Sequence, residues 1–240
     1  IPPGVLNVVN GGKNAVDAIL SHPDIGSVSF VGSTPIAHYV YHEAAKYGKK
    51  VQAMGGAKNH MVVMPDADMD LVSDSIMGSV FGSAGERCMA ISVGVAVGDI
   101  ANELVEKIED RIHKLKVAPW TDSESNMGPL ISKEHQQKVK EFISKGEEEG
   151  AKLVVDGRKI SISKNQKGFF MGGCLFDNVK KNMRIYKEEI FGPVLSVVRV
   201  KDYNEALTLV NDHEFGNGAS IFTRDGDTGR SFASNAKIGM

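Results

Sequence analysis

Apolar residues recur along the chain with two different spacings. Short β-branched runs that end at glycine or at polar turns are typical of strands, and apolar residues repeated every three or four positions are typical of helices. We predict strands at 5–9, 27–32, 49–54, 60–64, 194–200 and 218–223, and another directly after Gly150. We predict helices at 15–20, 36–46, 102–115, 132–150 and 203–211. This alternation predicts an α/β fold in which helices cover a parallel sheet, with 27–32 as a buried strand.

The helix over 36–46 begins directly after a predicted strand, and the junction has the sequence GSTP. Ser33 and Thr34 can cap this helix, and Pro35 stands in the first turn, where its missing N–H is not needed. Gly32 allows the backbone to approach a ligand closely, and a helix N-terminus attracts anions. A pyrophosphate contact at this turn and an ordinary N-cap are both compatible with the residues. The chain has no G-x-G-x-x-G fingerprint and no P-loop sequence.

Composition excludes several classes of protein. The 240 residues are 42% hydrophobic and 24% charged, with a net charge of −2, so no basic surface argues for nucleic acid. The apolar runs are too short to cross a bilayer. Two cysteines, Cys88 and Cys174, do not make a disulfide framework and favour a reducing compartment. The histidines form no cluster with metal-ligand spacing beyond His38 and His42, so we predict no metal site.

Cys88 stands in the stretch FGSAGERCMAIS, where small residues precede it and an arginine is its direct neighbour. The stretch alone is compatible with a buried, unreactive thiol or with a nucleophile in an open loop. Arg87 is likewise compatible with two roles. Its planar guanidinium can bind a carboxylate through two hydrogen bonds, or it can form a structural ion pair with Glu86 or another acid.

Five motifs occur in order: FVGSTPIA, GGAKNHMVVMPDAD, GSAGERCMA, MGPLIS and YKEEIFGPVLSVVRV. Together they resemble the NAD-dependent aldehyde dehydrogenase superfamily, and AKNHMVVMPDAD with AGERCMA is similar to its CoA-acylating branch, the methylmalonate-semialdehyde dehydrogenases. The resemblance covers essentially all 240 residues, although family members are longer. It implies the aldehyde dehydrogenase fold, with 1–54 as the C-terminal part of the NAD-binding, Rossmann-like domain. Residues 55–240 would be the catalytic domain, ending before the C-terminal oligomerisation arm.

The resemblance also implies roles for individual residues. Cys88 matches the family nucleophile, whose thiolate attacks the aldehyde and carries a thioester after hydride transfer, and its backbone N–H matches an oxyanion donor. Arg87 matches the arginine that binds the substrate carboxylate. Cys174 has no partner in the pattern and is expected in the core.

Four further residues are candidate cofactor contacts. Glu189 matches the family carboxylate that accepts hydrogen bonds from the nicotinamide ribose, and Phe191 would pack beside the nicotinamide ring; both roles are implied by the resemblance. Gly32 and Ser33 are candidates because the strand-to-helix turn that they form can lie against a pyrophosphate. Lys58 and Asn59 lie in the turn beside the site and are expected to shape it without a chemical role.

One motif departs from the hydrolytic members of the family. They carry a glutamate in E-L-G-G-K that activates water, whereas the stretch 52–58 reads QAMGGAK and contains no carboxylate. Without a general base, water attacks a thioester poorly, and a thiol such as that of CoA is the better nucleophile. The missing glutamate therefore favours acyl transfer to CoA over hydrolysis.

The sequence thus predicts an oxidoreductase that uses NAD, with CoA as co-substrate. It would convert methylmalonate or malonate semialdehyde into propionyl-CoA or acetyl-CoA with loss of CO2. Two alternatives stay open: a hydrolytic aldehyde dehydrogenase, and a segment that is catalytically silent when isolated. We expect small-molecule substrates, no nucleic-acid or membrane partner, and a homodimer or homotetramer at full length. We expect a cytoplasmic location in a bacterium, or the mitochondrial matrix in a eukaryote.

Overall fold

A computed structural model describes residues 1–160 and 167–240. The chain divides into two compact units, Ile1–Gly56 and Ala57–Met240. Among the described residues, no helix combines the length and the apolar character needed to span a membrane. Assigning the two units to cofactor binding and catalysis stays a prediction.

The first unit contains two helices and a two-stranded parallel sheet. In chain order its elements are α1 (Lys13–Ser21), β1 (Ser27–Val31), α2 (Thr34–Lys46) and β2 (Lys50–Met54). The strands pair in register, with Val28 opposite Val51. Leu20, Val40 and Ala44 form its small buried core. The helices and strands predicted between 15 and 54 are therefore confirmed, within a few residues at their ends.

Two expectations for this unit are wrong. Residues 5–9 form no strand, because no strand among the described residues pairs with them and their apolar side chains are open to solvent; Val8 is 80% exposed. A β-branched run needs a neighbouring strand and a buried face to become a strand. The strand β1 forms as predicted but is not buried, because its residues alternate between exposed and half-buried positions.

The second unit is built on a six-stranded sheet with the strand order β5-β6-β7-β4-β3-β8. Its strands are β3 (Asn59–Val63), β4 (Ile91–Val97), β5 (Lys152–Val155), β6 (Cys174–Asp177), β7 (Val194–Val200) and β8 (Ala219–Phe222). All neighbours are parallel except β5, which pairs antiparallel with β6 at one edge. The predicted parallel sheet is therefore confirmed, with an antiparallel edge strand of a kind that is common in large α/β sheets.

Helices cover this sheet. They are α3 (Met69–Ile76), α4 (Ala101–His113), α5 (Lys133–Glu148), the short α6 (Arg184–Lys187), α7 (Tyr203–Asn211) and α8 (Gly226–Asn235), and a π-helix, Met77–Phe81, follows α3. The apolar stripe of α4, at Leu104, Ile108 and Ile112, is buried as its spacing predicts. Cys174 lies fully buried in β6, which confirms it as a core residue.

Candidate active site at the amino-terminal edge of the sheet

The segments that enter four parallel strands carry most of the residues singled out from the sequence. Cys88 precedes β4, Glu189 and Phe191 precede β7, Asn59 opens β3, and Asn217 precedes β8. Because neighbouring parallel strands begin at the same edge of a sheet, these segments converge there. A narrow cleft at this edge is lined by Arg87, Cys88, Glu189 and Phe191, together with Ala57, Asn59 and Gly192.

A left-handed backbone turn leads into Cys88. Ser83 and Ala84 have φ values of 51° and 53°, which L-residues adopt at a cost of about 1 to 3 kcal/mol each, and Gly85 follows with a φ of 72°, which glycine adopts freely. A Cβ on Gly85 would lie 2.3 Å from the carbonyl oxygen of Gly192, so this position requires glycine. The turn therefore brings the segment that carries Cys88 against the backbone that enters β7.

Cys88 itself lies at the surface of the cleft. Its thiol is free and its side chain is exposed. The N–H of Ala90 donates to the carbonyl of Arg87 at 3.1 Å and closes the turn around the cysteine. Within residues 1–160 and 167–240, the backbone N–H of Cys88 donates to no acceptor. The structure thus presents a thiol and an uncommitted amide donor side by side.

Arg87 is fixed by the backbone of the π-helix. Its Nη2 donates to the carbonyls of Gly78 and Ser79, both at 2.7 Å. π-Helical turns are frequent at functional sites. In the described part of the chain, no carboxylate pairs with Arg87, and the expected alternative of an ion pair with Glu86 does not occur. The guanidinium borders the cleft with its other N–H groups uncommitted to an acid.

Glu86 and His135 form a contact that the sequence did not indicate. Oε1 of Glu86 accepts from the N–H of Ile131 at 3.2 Å and lies 3.4 Å from Nε2 of His135. Burial raises the pKa of Glu86. The same Nε2 lies 2.6 Å from the carbonyl oxygen of Phe191. His135 therefore joins the segment that carries Glu86 and Cys88 to the segment before β7.

Glu189 is half-buried, and its Oε1 accepts the N–H of Ala57 at 3.1 Å. Burial raises the pKa of this carboxyl group. Phe191 is exposed at the cleft with a left-handed φ of 57°. Its ring packs edge-on to His135, at 6.4 Å between ring centroids.

Lys58 supports the loop that carries Glu189 from beneath. Its Nζ is buried and donates to the carbonyls of Ile185 and Glu188, at 2.7 and 2.8 Å. Burial lowers the pKa of this ammonium to about 7. The side chain thus has the loop-shaping position that its place in the sequence predicts, although its complete burial was not foreseeable from the motif.

Gly32 and Ser33 lie in the first unit, where β1 runs into α2. The N–H of Gly32 donates to the carbonyl oxygen of Met54 at 3.1 Å. A Cβ on Gly32 would lie 2.6 Å from the Phe30 ring. Ser33 occupies the N-cap position but its side chain makes no capping hydrogen bond, so the ordinary side-chain cap is not formed. Instead, Oγ1 of Thr34 accepts the N–H of Gly56 at 3.0 Å. The start of α2 is therefore left without a side-chain acceptor from Ser33.

Comparison with known proteins identifies the family. The model of the aldehyde dehydrogenase family matches residues 1–240. The chain belongs to the aldehyde dehydrogenase family. Malonate-semialdehyde dehydrogenase from Pseudomonas aeruginosa is 54% identical over the whole chain, and that from Halalkalibacterium halodurans is 49% identical. The chain spans 48% and 49% of the length of these two relatives.

Solved structures agree with this membership and with the fold. The chain superimposes on a methylmalonate-semialdehyde dehydrogenase from Oceanimonas doudoroffii with a TM-score of 0.97 and 54% identity, covering all of this chain and 49% of the other. The NAD complex of a Sinorhizobium meliloti protein, named for the same activity, gives a TM-score of 0.97 with 58% identity and the same coverage. The predicted aldehyde dehydrogenase fold and family are thus confirmed.

Proposed function

We propose that the full-length protein oxidises malonate or methylmalonate semialdehyde with NAD and transfers the product to CoA. Acetyl-CoA or propionyl-CoA and CO2 would be the products. The observation that carries this proposal is the exposed Cys88 beside Arg87, which pairs with no acid among the described residues, in one cleft. The names of the relatives from Pseudomonas aeruginosa and Oceanimonas doudoroffii support the same chemistry.

The residues present fit NAD. The turn at Gly32 leaves the start of the 13-residue helix α2 open to an anion, as a pyrophosphate requires. Glu189 presents a carboxylate whose Oε2 stays free for hydroxyl groups while Oε1 is held by Ala57. NAD, when bound, accepts the hydride of the reaction. We assign Gly32, Ser33, Glu189 and Phe191 to holding it.

Cys88 begins the reaction. Its thiolate attacks the aldehyde carbon, and a C–S bond forms while the carbonyl electrons move to oxygen. The backbone N–H of Cys88, which has no acceptor among the described residues, can donate to that oxyanion. Once the hydride has left, the carbonyl reforms and the acyl group remains on Cys88 as a thioester.

Arg87 selects the substrate in this proposal. Nη2 is held by the π-helix carbonyls, so the remaining edge of the guanidinium can bind the substrate carboxylate. In the thioester this carboxylate lies β to an electron-withdrawing carbonyl. Its C–C bond breaks with the electron pair moving toward the thioester, CO2 leaves, and the carbon is protonated.

CoA completes the cycle. Its thiol attacks the thioester carbonyl, the C–S bond to Cys88 breaks, and the free cysteine is restored. Water is a poor competitor, because the stretch 52–58 supplies no carboxylate base to activate it.

The proposal also covers the cellular location and the assembly of the full-length protein. The relatives named above are bacterial proteins, and both cysteines of this chain are free thiols, so we place the full-length protein in the bacterial cytoplasm. We also propose that it acts on small molecules as a homo-oligomer. Gel filtration with light scattering measures its assembly.

Product analysis tests this proposal. The full-length protein is incubated with NAD and malonate or methylmalonate semialdehyde, with and without CoA, while NADH and acyl products are followed. We expect a burst of NADH that stalls without CoA, and steady formation of acyl-CoA with it. Cys88→Ser is the control and should abolish the burst. Steady production of free acid without CoA would contradict the proposal and establish hydrolysis.

A further inference from the structure

Two side-chain amides converge on one backbone oxygen at the nucleophile. Nδ2 of Asn59 donates to the carbonyl of Cys88 at 2.8 Å, and Nδ2 of Asn217 donates to the same oxygen at 3.0 Å. A carbonyl oxygen has two lone pairs, so both are used. These donors come from the entrances of β3 and β8, which are neighbours in the sheet.

Asn59 holds the turn at two points. The same Nδ2 donates to the carbonyl of Ala90 at 2.9 Å, and the residue is buried at a break in register between β3 and β4. The carbonyl oxygens of Cys88 and Ala90 can only accept hydrogen bonds, so the NH2 group of Asn59, and not its oxygen, must face them. In the described parts of the chain, Oδ1 of Asn59 is buried without a donor. The two carbonyl acceptors thus fix the orientation of the Asn59 amide.

Asn217 also contacts this turn at two acceptors. Its Nδ2 also lies 3.1 Å from Sδ of Met89, a second acceptor, which fixes the orientation of its amide in the same way. Gly218 packs closely behind it, since a Cβ there would lie 2.8 Å from Cε of Met89. The Asn217 side chain is exposed, so it contributes little to the core.

Resting on the proposed role of Cys88 as the nucleophile, we propose that Asn217, together with Asn59, is a positioning residue. The pair fixes the peptide plane between Cys88 and Met89, and with it the direction in which the thiol points. Both donors also direct the positive ends of N–H dipoles at the residue that must carry a thiolate. Fixed dipoles of this kind favour developing negative charge without reorganisation.

Alkylation kinetics of the full-length protein test this role. Cys88 is labelled with iodoacetamide between pH 6 and pH 10, without NAD or CoA, and the modified peptide is quantified by mass spectrometry. Asn217→Ala removes one donor, and Asn217→Asp keeps the shape but replaces the donor by an acceptor. Asn102→Ala, on the exposed face of α4, is the matched control.

We expect Asn217→Ala to alkylate about three- to tenfold more slowly at pH 7, as the loss of one neutral hydrogen bond allows. Asn217→Asp should be slower still, and the pH at half-maximal rate should rise in both variants. The control should follow the parent protein. A role limited to filling space predicts that Asp behaves like Asn.

Parental rates and pH profiles in both variants, with unchanged circular dichroism, would overturn the inference. So would alkylation of Asn217→Asp at or above the rate of Asn217→Ala. Because alkylation needs neither cofactor nor CoA, these outcomes are independent of the product analysis. Formation of a free acid would contradict the proposed function and leave the alkylation result standing.

Discussion

At the scale of single residues, the Arg87 side chain is fixed by hydrogen bonds while part of its guanidinium stays available to bind an anion. The two carbonyls of Gly78 and Ser79 bind one nitrogen of its guanidinium, which removes the conformational freedom that a long side chain would otherwise lose on binding substrate. Gly82 makes this position possible, because a Cβ there would lie 2.8 Å from Nη2. The guanidinium is therefore placed in advance for an anionic group.

Replacing Arg87 should change substrate choice more than chemistry. We expect Arg87→Gln to lower kcat/KM for malonate semialdehyde about 10- to 100-fold, the range of a charge-assisted hydrogen-bond pair. For propanal, which lacks a carboxylate, the same variant should stay within about twofold of the parent. Steady-state kinetics of the full-length protein with both aldehydes measure the ratio. An equal loss for both substrates would mean that Arg87 acts on the turn that carries Cys88 and not on the substrate.

At the scale of elements, the sequence predicts where strands form better than it predicts which strands pair. The runs at 60–64 and 194–200 are continuous and apolar, and they form β3 and β7 within one residue of the predicted ends. The run at 5–9 is similarly rich in valine and leucine, but no strand in the described part of the chain pairs with it, so it stays irregular. Pairing is a property of the whole fold, and local composition does not contain it.

The candidate site shows the same limit more sharply. Cys88, Arg87 and Glu189 were singled out from motifs and do line one cleft. Asn217 lies 129 residues beyond Cys88, and His135 lies 56 residues before its contact at Phe191. Only the strand order β7-β4-β3-β8 brings these segments together. A sequence pattern within one segment has no information about that order.

A buried histidine in β3 makes stability depend on pH. His60 lies against Tyr186, with Nε2 3.0 Å from its Oη, and its ring is 5.2 Å from that of His213. Burial, with a smaller effect of His213, lowers the pKa of His60 to about 3. The unfolded chain takes up a proton near pH 6.5, whereas the folded protein does not until about pH 3. Stability is therefore full above pH 6.5 and falls as the pH falls from there toward 3.

We expect this histidine to contribute up to about 1.4 kcal/mol of lost stability per pH unit below 6.5. His60→Phe keeps an aromatic ring but cannot titrate, so its free energy of unfolding should fall less steeply between pH 6.5 and pH 5. Urea unfolding followed by far-ultraviolet circular dichroism at several pH values gives the two slopes. The slope is compared and not the absolute stability, because the variant also loses the contact with Tyr186. Identical slopes would show that His60 takes up its proton over the same pH range in the folded protein as in the unfolded chain.

At the scale of the whole molecule, the two units differ in the size of their hydrophobic cores. The first unit buries four apolar side chains, Leu20, Ala37, Val40 and Ala44, and the two strands of its sheet alternate between exposed and half-buried positions. Two strands alone are marginally stable in water. The second unit buries most of the residues of β3, β4 and β7 on both faces of a six-stranded sheet. Local opening should therefore be much easier in the first unit.

Hydrogen exchange can test this difference together with the predicted domain assignment. In the isolated 240-residue chain, we expect amides of β1 and β2 to exchange at least about tenfold faster than those of β3, β4 and β7, because a smaller core lowers the free energy of opening. If 1–54 is part of a larger NAD-binding domain, the same amides should be protected in the full-length protein. NAD should then increase that protection further, with a smaller change in β3. Equal exchange of β1 and β2 in both proteins would contradict the assignment of 1–54 to a larger domain, whatever product the enzyme forms.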